Sequence, residues 1–276
     1  MYRLQYISNN GSVVEMDGED IFVCEGLSLK GDYWSYELKN GIINKLSREA
    51  VEIDVSARFL NYDKAKEALG IFNKDNIDNV SGRFMVDEWY QEANIVGCEL
   101  EEQNVSEYIS ATLKVVLKWG YWLKMKTYHI EGRLQSSDGL DFSYDHEYDF
   151  QLESNVNLDI NIESKTGAAL GIIFYGNCVN PSISIADNTY CVQSSANTGE
   201  RITIDPYGRD KIGTSIYKTG IEGQHTNLFQ YKYGGEKDSG SYIFQKIPSG
   251  IHKLHAPIGL VFDLIIYEES GTPPWI

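Results

Sequence analysis

Carboxylates are the commonest residues of this chain that could do chemistry. The sequence holds 40 Asp and Glu residues, and two acids placed on either side of a sugar linkage can hydrolyse it. Glu52 and Asp54, however, alternate with apolar residues, which places them on the face of a strand that normally carries solvated acids. The pattern therefore favours a solvent-exposed strand face over a catalytic pair.

A second group of acids has the residue types that bind calcium. It lies near the middle of the chain and comprises Asp141, Asp145, Glu147 and Asp149. Several oxygen ligands close in sequence could hold Ca²⁺, but the spacing and the central Gly of an EF-hand loop are missing. The pattern favours an acidic linker anchored by its aromatic residues over a calcium site. We predict no metal site and no cofactor.

Histidine and cysteine show no clear metal-binding or nucleophile pattern. Only His252 and His255 are close in sequence, and positions i and i+3 of a strand point to opposite faces. The cysteines form no CxxC pair and stand at Cys24, Cys98, Cys178 and Cys191. We expect them to be reduced and mostly buried. Since phosphate loops, GxSxG and HExxH are also missing, we predict that the protein is not an enzyme.

Aromatic residues are a further class with binding chemistry. The chain has 19 Tyr and 5 Trp, and aromatic rings stack on sugars where a β-sandwich offers a platform. The candidates, chosen by composition, are Trp34, Tyr36, Tyr175, Tyr207, Tyr217, Tyr231, Tyr233 and Trp275. Their number favours packing in cores and interfaces over a glycan platform, and both interpretations stay open at this point.

The elements that must position these residues are mainly strands. Apolar and polar residues alternate with period two over 51–59, 109–117 and 158–162, which predicts half-buried antiparallel strands. From residue 154 onward, Gly and Asn turns separate short Ile-rich segments, a texture typical of a β-sandwich. The sequence predicts a mainly β protein with two β-sandwich-type domains.

One segment has helical periodicity instead. In residues 61–72 the apolar side chains fall at i, i+3, i+4 and i+7, with Asn61 or Asp63 as the N-cap. We therefore expect a single short helix in the first domain. A turn-rich, acidic and aromatic stretch suggests the division 1–140, a linker at 141–153, and a second domain at 154–276.

Length and charge exclude several classes of protein. The 276 residues suffice for two cores without disulfides, and the net charge of −16 argues against binding nucleic acid. The first twenty residues lack the apolar region of a signal peptide, so we do not expect secretion by that route. The longest apolar run, 259–266, contains Asp263 and is far shorter than the ~18 residues of a membrane span. No membrane insertion is expected.

Taken in chain order, several segments resemble the siphovirus distal tail protein family. They are EIDVSARFLNYDKAKEALGIF (52–72), GRFMVDEWYQEANIVG (82–97), SATLKVVLKWGYWLKMKTYHI (110–130), DFSYDHEYDFQL (141–152), GNCVNPSISI (176–185), GERITIDP (199–206), IPSGIHKL (247–254) and the terminal TPPWI (272–276). Together they extend over nearly the whole chain, in the order and spacing of the family.

The resemblance implies a structural protein of the phage or prophage tail tip. Its first domain would assemble as a hexameric ring, and its second would resemble galectins or carbohydrate-binding modules. The ring would join the tail tube to the adhesion apparatus, with the tail tube protein, tape measure protein and receptor-binding proteins as partners and host cell-surface glycans as a further candidate. The protein would be made in the bacterial cytoplasm and reside in the virion. The alternative is a two-domain β protein that binds or cleaves carbohydrate.

The net charge also leads to an expectation about assembly. Six copies would repel one another, so salt should promote a ring held by aromatic and apolar contacts. An interface of Lys and Arg with the acids of a neighbour would show the opposite trend.

Overall fold

The computed structural model describes residues 3–23, 34–100, 108–131, 155–207 and 215–272. These segments are mainly β-strands and contain one α-helix, which confirms the predicted fold class. The chain divides into two compact units, residues 1–124 with those from 269 on, and residues 125–268. The predicted linker at 141–153, its acidic cluster, Cys24 and Trp275 lie outside the described residues.

The elements of the first unit begin at residue 4. In chain order they are β1 (Leu4–Ile7), β2 (Val13–Glu15), β3 (Ile21–Val23), β4 (Ser35–Lys39), β5 (Ile42–Ser47), β6 (Val51–Phe59), α1 (Tyr62–Ile77), β7 (Gly82–Val86), β8 (Trp89–Leu100), β9 (Ile109–Leu117) and β10 (Trp122–Glu131), the last of which continues into the second unit. Strand β8 pairs with β7, β9 and β10, while β6 pairs with β9 and β3.

Strand β6 shows the predicted alternation. Ile53, Val55 and Phe59 are buried while Glu52 and Asp54 are exposed, and the strand is antiparallel to β9 along its whole length. Glu52 lies 3.8 Å from Lys114 Nζ on the neighbouring strand. These acids therefore belong to a solvated face, as the alternation predicts.

Asn61, one of the two predicted N-cap residues, caps helix α1. The helix extends beyond the segment in which the sequence shows helical periodicity. The Asn61 side chain accepts a hydrogen bond from the Lys64 backbone amide at 3.0 Å, which satisfies an amide that has no partner within the helix. The helix then runs to Ile77, five residues beyond Phe72. Its last turns carry Asp75, which is 2% exposed and accepts hydrogen bonds from Tyr6 and Ser8.

The second unit begins with the end of β10 and is built from short strands. They are β11 (Asn155–Ile162), β12 (Ala168–Tyr175), β13 (Cys178–Val179), β14 (Ser182–Ile185), β15 (Asn188–Val192), β16 (Ser195–Ala196), β17 (Arg201–Ile204), β18 (Ile216–Thr219), β19 (His225–Asn227), β20 (Lys232–Tyr233), β21 (Gly250–Pro257) and β22 (Val261–Ser270), with a short 3-10 helix at Phe229–Tyr231.

These strands form a β-sandwich. One sheet has the order β19-β18-β17-β12-β22 and the other the order β11-β21-β14-β15-β20. Phe174 and Phe262 from the first sheet and Tyr190 from the second are all fully buried in one apolar cluster. Two sheets that bury their inner faces against a shared core are the arrangement that the Ile-rich alternation predicts.

Candidate interaction surfaces

Strands β4 and β5 form a β-hairpin that the sequence analysis did not identify. The two strands make a two-stranded sheet of their own. The connecting residues, Asn40 and Gly41, have φ angles of 51° and 76°. Positive φ at both central positions is the geometry of a type I′ turn, which Asn-Gly adopts readily. The signal that could have revealed the hairpin is this dipeptide between two alternating apolar segments.

One face of the hairpin is apolar and uncovered. Tyr36 pairs with Leu46 and Leu38 pairs with Ile43, and the register shifts by one residue of β5 between the two pairs. This irregularity brings Ile43 and Leu46 to the same side, so the four side chains share a face of the sheet. Their exposed fractions are 62%, 56%, 61% and 55%. A contiguous apolar surface of this kind marks a binding site on a folded protein. We call this face, Tyr36, Leu38, Ile43 and Leu46, the apolar hairpin face.

The opposite face of the hairpin carries three charged residues together with Ile42, which pairs with Lys39 and is 71% exposed. Glu37 pairs with Lys45 across the strands, and Lys39 precedes the turn. All three side chains are exposed. Beyond the hairpin, the guanidinium of Arg48 lies 4.3 Å above the ring of Trp34. The hairpin is thus amphipathic, with more cations than acids in a chain whose net charge is −16.

The predicted tyrosines of the second unit are distributed over both of its sheets, with Tyr175 on β12 and Tyr217 on β18 of one sheet and Tyr233 on β20 of the other. Tyr217 stacks on His225 with a ring separation of 4.8 Å, and Tyr207 meets Tyr267 edge-on at 5.3 Å. Tyr175 belongs to a polar cluster instead. Most of these rings are thus engaged with other side chains of their own unit, in line with the packing interpretation.

Two of the predicted tyrosines are open to solvent. Tyr231 and Tyr233 are 44% and 50% exposed, and Phe229 nearby is 43% exposed. The ammonium group of Lys232 lies 4.3 Å from the centre of the Phe229 ring. These residues are the part of the predicted platform that could stack on a sugar.

A polar cluster in the second unit joins three strands. Asp263 on β22 accepts a hydrogen bond from the Tyr175 hydroxyl at 2.6 Å and lies 2.5 Å from Nδ1 of His129 on β10. The hydrogen bond to Asp263 raises the pKa of His129. Burial, followed by the hydrogen bond to Asp263, raises the pKa of Tyr175 to about 12. No local sequence pattern reveals this cluster, because its members are far apart in the chain.

The described residues bring together no group of three His, Cys, Asp or Glu side chains that could hold a metal ion. His252 and His255 lie on the continuous strand β21, where Nε2 of His252 is 2.9 Å from the Pro248 carbonyl oxygen. Cys98, Cys178 and Cys191 are free thiols, of which only Cys178 is buried. Cys98 and Cys191 are partly buried at strand positions, so the described cysteines are free thiols that are at least partly buried.

No helix in the described ranges has the length and apolar character needed to span a membrane. No protein-family model matches the chain, and no curated protein matches it either.

Solved structures that share this fold come from the hub and baseplate proteins of bacteriophages. One is the Dit protein of phage SPP1, described as a paradigm of the hub adsorption apparatus of phages that infect Gram-positive bacteria. It matches with a TM-score of 0.53 and 10% identity over 98% of this chain and 99% of its own. A chain of the phage P2 baseplate in its activated conformation with calcium matches with a TM-score of 0.54 and 12% identity over 99% of both chains.

The same baseplate with strontium matches with a TM-score of 0.53 and 12% identity, over 99% of this chain and 100% of that chain. At such low identity the likeness establishes the fold, and it does so from end to end. The chain has a phage-hub-like fold.

Proposed function

We propose that this chain is a structural protein of a phage or prophage tail tip. Copies of it form a hexameric hub ring through the first domain, at about residues 1–140, and the ring joins the tail tube to the adhesion apparatus. Its partners are the tail tube protein, the tape measure protein and the tail-tip or receptor-binding proteins. The protein is not an enzyme and acts in the assembled virion.

The observation that carries this proposal is the extent of the structural likeness. Both units of the chain are matched together, over 98–99% of its length, by hub and baseplate chains of nearly equal extent. A shared single domain would occur in proteins of many functions. A match that covers two whole domains in one chain is a narrower criterion, and it agrees with the ordered segments that resemble the distal tail family.

The apolar hairpin face supports the self-assembly part of the proposal. Burying side chains of this size stabilises a contact by roughly 1.5–3 kcal/mol for each large apolar residue fully removed from water. A monomer would leave the face in contact with solvent. A ring subunit has a neighbour to cover it.

Light scattering after size-exclusion chromatography tests the proposal on the full chain. A hexamer would have about six times the 31.3 kDa mass of one chain, and Leu38→Ser with Leu46→Ser should reduce the assembled fraction. Val179→Ser with Ile251→Ser is a matched control, because these apolar side chains are also highly exposed but lie in the second unit. A monomer at every protein concentration would contradict the ring.

The rival function, a protein that binds or cleaves carbohydrate, has one observation in its favour. The exposed rings of Phe229, Tyr231 and Tyr233 could stack on sugars. Stacking alone gives little affinity without convergent hydrogen-bond donors. A glycan array distinguishes the two functions, since tight binding by a monomeric protein, lost on Tyr231→Ala, would favour the rival.

A further inference from the structure

A groove in the first unit has the chemistry to receive the hairpin. Its floor is apolar and comes from β2, β3 and α1, and its rim carries acids. The floor residues are Val13, Val14, Ile21, Ala68 and Ile71, and the rim residues are Glu15, Asp20, Lys64 and Glu67. Val13 is 48% exposed, so part of the apolar floor is in contact with solvent.

The acids of the rim are accessible although they have local partners. Asp20 and Glu67 lie 2.9 Å and 3.5 Å from Nζ of Lys64, with side chains 53% and 67% exposed. Glu15 lies 2.9 Å from Arg3 and remains 46% exposed. Asp20 and Glu67 share Lys64, and Glu15 pairs with Arg3. The three carboxylates thus exceed these two cations by one, so the rim is net negative and can attract a further cation.

The hairpin is complementary to this groove in both respects. Its apolar face, Tyr36, Leu38, Ile43 and Leu46, matches the apolar floor. Lys39 and Lys45 are exposed and, within the described part of the chain, take part in no ion pair. Both lysines lie on the face opposite the apolar one. Because the hairpin has only two strands, their long aliphatic stems allow the ammonium groups to reach around its edges to the rim of a groove that holds the apolar face.

We propose that the hairpin of one copy docks in the α1 groove of a second copy, with its apolar face on the floor and its lysines near the acidic rim. The inference rests on the proposed self-assembly and adds the surfaces that meet. In the described structure the hairpin side chains are in contact with solvent, so the hairpin does not occupy the groove of its own chain. The groove is thus open to another copy.

The pairing has a direct consequence for symmetry. The hairpin and the groove are different surfaces. Each copy therefore inserts its hairpin into one neighbour and accepts the hairpin of another neighbour in its groove. A head-to-tail contact of this kind closes into a ring when the rotation between copies allows it. The contact therefore suits a cyclic assembly and not a simple twofold dimer.

Charge reversal tests the proposal on the full chain. The hairpin variant carries Lys39→Glu and Lys45→Glu, and the groove variant carries Asp20→Lys and Glu67→Lys. In each variant by itself, the hairpin and the groove rim carry charge of the same sign and repel each other. The protein concentration needed for assembly should therefore rise at least tenfold. An equimolar mixture should restore assembly, because each hairpin then finds a complementary groove on the other variant. A hairpin that folds back on its own chain would not respond to mixing.

Matched controls separate local from overall charge. Lys165→Glu with Lys253→Glu has the same net charge as the hairpin variant, and Glu222→Lys with Glu236→Lys has that of the groove variant, all at exposed positions of the second unit. Both controls should assemble like the unmodified protein. Circular dichroism verifies folding, and Glu67→Lys alone is a milder groove variant at an exposed helix position.

Three outcomes overturn the pairing. If the unmodified chain assembles and both folded variants assemble equally well, the pairing is wrong while the proposed function stands. If an equimolar mixture of the two folded variants does not assemble, the pairing is also wrong. If the unmodified chain is a monomer at every concentration, both the pairing and the ring are wrong.

Discussion

Asp75 fastens helix α1 to strand β1 through a buried carboxylate. One oxygen accepts a hydrogen bond from Tyr6 at 2.8 Å and the other from Ser8 at 2.7 Å. Burial and the hydrogen bond to Asp75 raise the pKa of the Tyr6 hydroxyl. The hydroxyl therefore stays protonated at neutral pH and donates this hydrogen bond. A carboxylate can serve several donors at once because both of its oxygens accept.

Replacing this carboxylate should destabilise the first unit. Asp75→Asn would put an amide NH₂ where an acceptor is needed and leave a buried donor unpaired, at a cost of about 1–3 kcal/mol. Denaturant unfolding measures the change. Asp78→Asn is the control, because Asp78 is exposed at the end of the same helix and pairs with Lys74 at 3.7 Å. Its effect should stay below about 0.5 kcal/mol. Equal effects would contradict the role of Asp75.

His129 should make the stability of the second unit depend on pH. Its pKa is raised in the folded state by the hydrogen bond to Asp263. The stabilisation is therefore complete below the unfolded pKa of about 6.5 and is lost as the pH rises through the folded pKa. His129→Gln should lower the melting temperature at pH 6 and have little effect at pH 9.

A double-mutant comparison isolates this pair. On an Asp263→Asn background, adding His129→Gln should not change the pH trend further, because the carboxylate partner is already gone. If His129→Gln still changes the trend on this background, a second partner of His129 contributes to it. Glu131, 3.6 Å from Nε2 of His129, is then the first alternative.

At the scale of elements, close packing decides where a glycine is required. Strand β7 passes Tyr6 so closely that a Cβ on Gly82 would lie 2.5 Å from the Tyr6 ring and hydroxyl and 2.7 Å from the Ile7 carbonyl oxygen. In contrast, a Cβ on Gly70, at the surface of α1, would meet nothing within 4 Å. Close packing therefore requires a glycine at position 82, whereas position 70 has space for a side chain.

Alanine substitutions should have opposite effects at these two positions. Gly82→Ala should destabilise the protein by about 1–3 kcal/mol, since the Tyr6 ring and a neighbouring backbone must shift. Gly70→Ala should stabilise it by roughly 0.5–1 kcal/mol, because alanine is the better helix former. Thermal melts of the two full-length variants measure both effects. Destabilisation by Gly70→Ala would show that this helix face has an unrecognised contact.

At the scale of the whole molecule, two electrostatic effects compete in assembly. Copies with a net charge of −16 repel at long range, whereas the proposed lysine–carboxylate contacts attract at short range. The Debye length falls from ~30 Å at 0.01 M salt to ~10 Å at 0.1 M and ~3 Å at 1 M. Long-range repulsion is therefore screened first, and contacts of a few ångströms are weakened only at higher salt.

The assembled fraction should thus pass through a maximum near 0.1 M salt. The assembled fraction should rise at first because salt screens the repulsion between copies of net charge −16. It should fall toward 1 M because salt then weakens the lysine–carboxylate contacts between hairpin and groove. A variant with Lys39→Gln and Lys45→Gln should keep the rise and lose the fall, which light scattering across a salt series would measure. A steady increase up to 1 M in the unmodified protein would show that apolar contacts alone hold the ring.

The sequence by itself determined what depends on a few neighbouring residues. The alternation in 51–59 predicted strand β6 with its correct faces, and Asn61 marked the start of α1, because pleat and capping geometry are local. Local chemistry places such elements before any tertiary contact is known.

Only the tertiary structure decided which residues meet and which remain uncovered. His129 and Asp263 are 134 positions apart, and the predicted tyrosines lie on separate strands, so no local pattern could pair them. The hairpin's apolar face looks like that of any half-buried strand in sequence. In the structure its four side chains stay more than half exposed, so no element of the described chain covers that face. Whether an apolar face is buried depends on which other elements pack against it in the folded protein. The alternation in the sequence shows only that one face of the strand is apolar.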